Sequence, residues 1–448
     1  MELHFWLAVG IFIASYIAIC FESFHGTHKA VIALCGAALV MGLEILTQNE
    51  AFYSVDFGVD WNVVFLLIAM MIIVNIMKPT GVFEYLAIKC AKIGKGEAYR
   101  IMAIFAIVTA LISAFLDNVT TVLLIAPVIL FVTKELKINP IPFLISTALA
   151  SNIGGTATLI GDPPNVMIAS KAGLTFMDFV VHLTPVIILI MAVYVVMIRF
   201  IFHKSLIVSV EAKDKIMQLD EKSVLKDKGL AKKSLIVLGV MILCFVFHDK
   251  INLHPATIAL LGAGVIFMIS DHAETPHTIL GDIEWTSIFF FIGLFIIIGA
   301  VVKVGFISLM AKAVISITGA NIFKTSIVIL WFSSIASAII DNIPYVAKLN
   351  PMIIDMARQI WPNVANPEII HKVALLPVWW SLALGACLGG NGTIIGASAN
   401  VVVAGIAEKN GYKISFLEFM KYAIPVWFMT ILVSHLYIWL RYFCFAKP

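Results

Sequence analysis

Charge is what this chain has least of. Of its 448 residues only 13% are Asp, Glu, Lys or Arg, and 61% are hydrophobic; soluble domains carry about 25% charged and about 45–50% apolar residues. So few polar groups cannot cover the surface of a water-soluble fold of this length, which sets aside soluble enzymes, nucleic-acid binders and disordered chains. The net charge of +3 is too small to draw a polyanion. Cysteine is scarce too: Cys20, Cys35, Cys90, Cys244, Cys387 and Cys444 are scattered without a CxxC pair, a spacing that fits neither a zinc site nor a disulfide framework. The beginning of the chain lacks the basic segment and small-residue cleavage site of a signal peptide, so residues 5–21 are expected to remain as a first span. Neither GxGD, GxSG nor HExxH occurs, which speaks against an intramembrane hydrolase. What the chain does have is long apolar runs. It reads as a polytopic membrane protein.

A membrane-crossing helix takes roughly 20 mostly apolar residues, and such runs lie near 5–21, 29–47, 61–78, 178–203, 234–248, 255–270, 284–303 and 418–445. Four further apolar stretches, 99–133, 141–171, 324–357 and 371–407, are interrupted by polar residues and glycine. Residues 204–233 form the one long hydrophilic stretch, with eight Lys against five acidic residues. Under the positive-inside bias it reads as a cytoplasmic linker. If 99–133 is a hairpin that enters and leaves on one side, five spans precede the linker and the first begins outside. The connection 78–100, with Lys78, Lys89, Lys92, Lys95 and Arg100, then falls inside, and the acidic 48–60 falls outside, as the bias requires. The acidic 271–284 runs against it.

The two halves repeat each other. His28-Lys29-Ala30 and Gly36 match His254-Pro255-Ala256 and Gly262; Asp60-Trp61 and Gly81 match Glu284-Trp285 and Gly305. Asp117-Asn118 and Pro127 match Asp341-Asn342 and Pro351, GGTATLIGDPPNV (154–166) matches GGNGTIIGASANV (389–401), and Phe179 with Pro185 matches Phe419 with Pro425. The order is kept while the shift moves only between 224 and 240. Apolar segments align trivially, but Asp, Asn, Gly, Pro and Trp do not. An odd number of spans plus a hairpin in each half places the copies in opposite orientation, the signature of secondary transporters with interrupted helices at the midplane. The expected fold is an all-α integral membrane protein of about ten transmembrane helices plus two re-entrant hairpins, in two inverted-topology repeats with broken helices. Residues 1–203 form the first repeat, 204–233 the linker and 234–448 the second, in a cell (inner or plasma) membrane.

Chemistry-bearing residues cluster in the interrupted stretches. FLDNVTT (115–121) and IIDNIPY (339–345) put Asp117, Asn118, Thr120, Thr121, Asp341 and Asn342 where hairpins would turn. An Asp at membrane depth costs about 2.5–3.5 kcal/mol on insertion scales, so these carboxylates need a reason. They bind a cation or carry a proton, or they cap the second helix of each hairpin; the two uses are compatible. The second constellation comprises Ser151, Asn152, Gly154, Gly155, Thr156, Thr158, Asp162 and Asn165, with Gly390, Asn391, Thr393, Ser398 and Asn400. Glycines and Pro163-Pro164 break a helix, and broken backbone survives at membrane depth only when buried in protein or lining a watery cavity. Freed carbonyls there suit Na+ and freed N–H groups suit anions, although the glycines also permit close helix packing. Asp162 has Ala397 as its mate. Lys348 lies seven residues past Asp341 and either pairs with a carboxylate, attracts an anionic substrate, exchanges protons, or snorkels to the interface. His182, Trp379, Trp380 and Trp427 are expected in interfacial belts or in packing.

At these residues a resemblance enters. DNVTTVLLIAP, SNIGGTATLIGDPPNV, DNIPYVAKLNP and GGNGTIIGASANVV resemble the ArsB/NhaD permease family of the ion transporter superfamily over nearly the whole chain. The resemblance implies inverted repeats with re-entrant hairpins and a homodimer. Related dicarboxylate carriers hold sodium and substrate carboxylate at Ser-Asn-Thr tips; here Asp117-Asn118-Val119-Thr120 and Asp341-Asn342-Ile343-Pro344 occupy those tips, and the added negative charge favours proton or cation coupling. The expected function is therefore secondary transport of a small anion or oxyacid coupled to H+ or Na+, by alternating access. A Na+/H+ antiporter is the alternative, and a passive anion channel comes third. No catalytic residue and no cofactor is expected beyond a Na+ held by Asp117, Asn118, Asp341 and Asn342. The partners are the substrate ion, the lipid bilayer and a second copy; no nucleic acid is expected.

Overall fold

The structure, a computed structural model, describes residues 2–20, 27–54, 57–203, 217, 221, 223–270, 276–339, 342–361, 370 and 374–444. Among these there are helices and turns but no strand. In the first half the chain forms α1 (Glu2–Cys20), α2 (Lys29–Gly42), a short α3 (Gln48–Tyr53), α4 (Trp61–Met77), α5 (Val82–Ile93), α6 (Ala98–Ser113) and α7 (Asn118–Glu135). It continues with α8 (Ile141–Gly155), α9 (Pro163–Ala172), α10 (Phe176–His182) and α11 (Thr184–Ile201). The second half forms α12 (Lys228–Val246), α13 (His248–Ile251), α14 (Pro255–Ile269), α15 (Pro276–Gly281), α16 (Trp285–Lys303) and α17 (Phe306–Thr318). Then come α18 (Ile322–Ile339), α19 (Asn342–Ile360), α20 (Leu376–Gly389), α21 (Ser398–Lys409) and α22 (Phe416–Trp439). Eight helices among the described residues are long and apolar enough to cross a membrane.

Local sequence accounts for the boundaries. Thr47 and Glu50 form a capping box on α3, Thr175 and Asp178 do so on α10, and Ser415 caps the mate of that segment, α22. Pro163-Pro164 start α9, where missing N–H groups cost nothing. Gly81 and Gly305, at φ of 79° and 82°, turn the chain into α5 and α17 in the left-handed region that only glycine enters freely.

Three boundaries differ from expectation. Helices α5 and α17 follow the third span of each repeat in place of plain connections; α5 carries Glu84, Lys89 and Lys92, and α17, apolar but for Lys312 and its hydroxyls, is only 13 residues long, so a span-length apolar window passes over both. The stretch 178–203 is two helices, α10 and α11, parted at Leu183 just before Pro185. Helix α12 begins at Lys228, inside the hydrophilic stretch, because Asp227 caps it by accepting from Leu230 N (2.8 Å).

Mate elements make mate contacts. α6 packs along α8, and α18 along α20. α2 lies against α16 of the other repeat, as α4 lies against α14. The second halves of the broken helices cross over as well: α9 packs on α19, and α21 on α7. Lys226 and Asp227 donate backbone N–H bonds to Thr80 O, and Lys92 pairs with Glu221. These bonds tie the connector between repeats to the α4–α5 turn. Tracing alternate spans from that face puts Lys29 and Glu284 on it, and Asp60, Ser170 and His254 on the opposite face.

Candidate functional site

The two broken helices meet in the molecular interior, and a set of asparagines joins them. Asn152, at the end of α8, is fully buried. Its Nδ2 donates to Asn391 Oδ1 (2.9 Å) and Asn400 Oδ1 (3.0 Å) of the second repeat. Its Oδ1 accepts from Asn118 Nδ2 (3.1 Å) at the first hairpin tip. One amide thus links a tip, its own broken helix and both sides of the other break.

Each break is held open in the same way. Asn165 Nδ2 donates to the carbonyls of Gly155 (3.4 Å), Thr156 (3.3 Å) and Thr158 (2.9 Å). Its mate Asn400 donates to Gly390 O (2.8 Å) and Thr393 O (2.9 Å). These are the carbonyls a continuous helix would have used, so the side chains satisfy part of what the break leaves unpaired. Thr158 donates to Ala114 O and its mate Thr393 to Ala338 O (2.5 Å). Ser113 donates to Ser151 O (2.8 Å) and its mate Ser337 to Ala386 O (2.6 Å). Ser151 Oγ reaches Asn118 O (3.0 Å) and Ser113 Oγ (3.1 Å), while Thr156 Oγ1 bonds back to Asn152 O (2.7 Å). The glycines let the helices touch: a Cβ on Gly154 would strike the Ala110 backbone, and one on Gly389 would lie 2.7 Å from Ser334 O. Gly155 and Gly390 face Gly161 and Gly396 across each break in the same manner.

At the first tip Asp117 caps α7. Its Oδ1 accepts from Thr120 N (2.9 Å) and its Oδ2 from Thr120 Oγ1. The carboxylate is nearly buried, at 7% exposure. Thr121 is buried with its hydroxyl unpartnered. At the second tip, Asp341 lies outside the described residues. Asn342 donates to both oxygens of Asp162, at 3.2 and 3.4 Å. The repeats differ here: Asn152 has Cys387 as its mate, whose thiol lies beside Asp162 and 3.5 Å from Asn165 Oδ1. A buried carboxylate therefore faces the second tip, where the mate of Asp162 is Ala397.

Most residues singled out by the motifs come together here, but not all. Lys348 sits half-buried with its ammonium 5.7 Å from the Phe12 ring centroid. Trp379 and Trp380 are fully buried, and His182 stacks on Trp380 and bonds the Tyr442 hydroxyl (2.5 Å); for these three, packing is the use found. Ser398 begins α21, and its Oγ accepts from Lys29 Nζ (2.8 Å). Lys29 and Glu284 were not singled out, nor were the Ser113–Ser337 pair and the clamping role of Asn165. The Ser pair was recoverable, since its shift of 224 is that of the adjacent Asp-Asn. Among the described residues no cluster of three His, Cys, Asp or Glu could hold a metal ion.

Broken helices and hairpins that cross-pack between repeats define a membrane transporter fold. The chain aligns over 98% of its length with 98% of the YdaH transporter of Alcanivorax borkumensis, with a TM-score of 0.57 at 11% identity. MtrF of Neisseria gonorrhoeae aligns over 99% of this chain and 96% of its own, also with a TM-score of 0.57, at 10% identity. The chain belongs to the citrate transporter (CitMHS) family, which it matches over residues 16–385. An uncharacterized transporter of Mycobacterium tuberculosis is 44% identical over 439 residues, 98% of both chains. The P protein of Mus musculus is 32% identical over 96% of this chain, which spans 59% of that longer protein.

Proposed function

We propose that this chain is a secondary active transporter for a small anion or oxyacid, coupled to H+ or Na+ and working by alternating access. Carboxylates of the citrate type are the first substrates to test. The observation that carries the reading is the Asn152 hub, where a hairpin tip and both broken helices converge on buried amides. Backbone freed at the two breaks offers N–H groups to an anion and carbonyls to a cation. The nearly buried Asp117 and the buried Asp162 supply negative charge for the coupling ion. Asp341, placed by sequence at the second tip, completes the set. The likeness to ArsB/NhaD permeases in the DNVTT and GDPPN segments supports an ion-coupled carrier, and we assign the chain to a homodimer in the plasma membrane with residues 204–233 cytoplasmic.

Na+/H+ antiport is the second reading, favoured by the oxygen-rich lining that carboxylate and amide groups form together. Purified protein in liposomes separates the two. Citrate and inorganic oxyanions are offered inside the vesicles or outside, with a pH or Na+ gradient imposed. The proposal expects anion uptake that collapses when both gradients are removed. Proton movement on adding Na+ with no anion present selects antiport, and anion flux indifferent to either gradient rejects coupling.

A further inference from the structure

The inverted repeats make each feature of one face a control for its mate on the other, and the two breaks are unequally covered. In the first repeat Thr158 (3%), Leu159 (3%), Val166 (5%) and Ala169 (5%) are buried. Their mates Thr393, Ile394 and Ala404 are half-buried, and Val401 is 50% exposed. The break of the second repeat is therefore the more exposed of the two, and α21 leads from it to the connector face.

An anion arriving there meets the carboxylates of Asp117 and Asp162, so a cation beside the freed N–H groups favours its binding. The Lys348 ammonium lies beside Phe12 of α1, whereas that of Lys29 contacts the break itself. Lys29 is placed to supply that cation. It begins α2, half-buried, with Nζ 2.8 Å from Ser398 Oγ at the edge of the more exposed break and 5.1 Å from the Phe290 ring centroid. Glu284 feels the charges of both Lys29 and Asp117. The mates of Lys29 and Ser398 are Pro255 and Pro163, so the opposite face cannot build the same pair. What it has is a cavity of about 310 Å³, lined by His254, Pro255, Leu66, Leu159 and Val166 among others, with no Lys or Arg in its wall.

We propose that Lys29 is the residue that binds the anionic group of the substrate when the connector face is open, exchanging its hydrogen bond to Ser398 for one to the anion. The inference rests on the anion-transport reading above. It makes recognition sided: a charge-assisted contact on the connector face, none from the mate position on the other.

The test is the KM for citrate, or for whichever anion the liposome screen shows to be carried, measured separately from the two faces in vesicles of known orientation. Lys29→Met is expected to raise the connector-face KM about tenfold, the loss of about 1.4 kcal/mol of binding. The opposite-face KM stays within a factor of about two, and Lys29→Arg keeps the parent value within a factor of about three. Lys29→Cys treated with aminoethyl methanethiosulfonate restores an ammonium at that position. Recovery of the KM in that variant supports the proposal and separates charge from folding if Lys29→Met is poorly made. An unchanged connector-face KM in Lys29→Met, or an equal rise on both faces, overturns it. A parent protein that carries no anion overturns the anion reading itself, a result visible before any variant is made.

Discussion

At the first tip the carboxylate of Asp117 is spent within its own turn, accepting from the amide and the hydroxyl of Thr120. That bonding is the N-cap that an apolar hairpin needs to start α7. Capping alone does not require a charge, because Asn caps as well as Asp. Asp117→Asn is therefore expected to keep the thermal stability of the parent while transport falls about tenfold or more, some 1.4 kcal/mol or greater in the rate-limiting step. Asp117→Ala loses the cap too and drops stability by about 1 kcal/mol. Asp341→Asn should reproduce the transport defect. Rates like the parent in both Asn variants, measured beside melting curves, move coupling away from the tips. The tips and breaks were legible in sequence because Asp, Asn and paired Gly stand out against an apolar background. Lys29 was not, since a Lys at a span's edge is what any membrane helix displays. Its reach to Ser398, 369 residues away, is what suggests the proposed role.

Helices of this fold approach each other where small residues allow it, and the approach of α6 to α8 is the tightest case. Gly154 sits against the Ala110 backbone, and its mate Gly389 against Ser334. Backbone cannot yield as a flexible side chain does, so Gly154→Ala and Gly389→Ala are expected to lower the yield of folded protein sharply, read by size-exclusion profile. Gly239→Ala in α12 meets nothing within 4 Å and should be tolerated. A second link between elements joins α3 to the end of α16, where Lys303 Nζ lies 2.8 Å from the Glu50 carboxylate. The hydrogen bond from Lys303, helped by those from Thr47, lowers Glu50 from 4.5 to about 2. A depressed carboxylate adds stability above its unfolded pKa and loses it as pH falls through the folded one. This increment is therefore complete above about pH 4.5 and gone near pH 2. The pair is partly exposed, so the effect is small, and Glu50→Gln should flatten that limb of a melting-temperature profile against pH. Long apolar helices were legible here from length alone. Helices α5 and α17 were not, because the apolar residues of α5 are broken up by charge and α17 is too short, at 13 residues, to be read as a span.

Across the whole molecule, neither repeat encloses the site by itself. α9 of the first repeat packs on the hairpin helix α19 of the second, α21 returns the contact on α7, and Asn152 bonds Asn391 and Asn400 across the divide. The scaffold helices are shared likewise, α2 against α16 and α4 against α14. This exchange was readable from the repeat only in outline. A repeat in sequence says that two copies exist, not that each completes the other. Among the described residues the covalent connector ties to the α4–α5 turn through Lys226, Asp227 and the Glu221–Lys92 pair, fewer links than the crossed helices make. A protease site placed in the hydrophilic stretch 205–216 should therefore permit complete cleavage with no loss of transport, and the two fragments should stay together through purification in mild detergent. Either half expressed alone should show no transport, because its broken helix lacks the opposing hairpin and leaves buried amides such as Asn152 unpaired, at about 1–3 kcal/mol for each orphaned group. Co-purification of cut fragments that have lost transport would instead make the connector part of the moving machinery. Activity from a single half would show that the site closes within one repeat, against the crossed packing of α9 on α19 and α21 on α7.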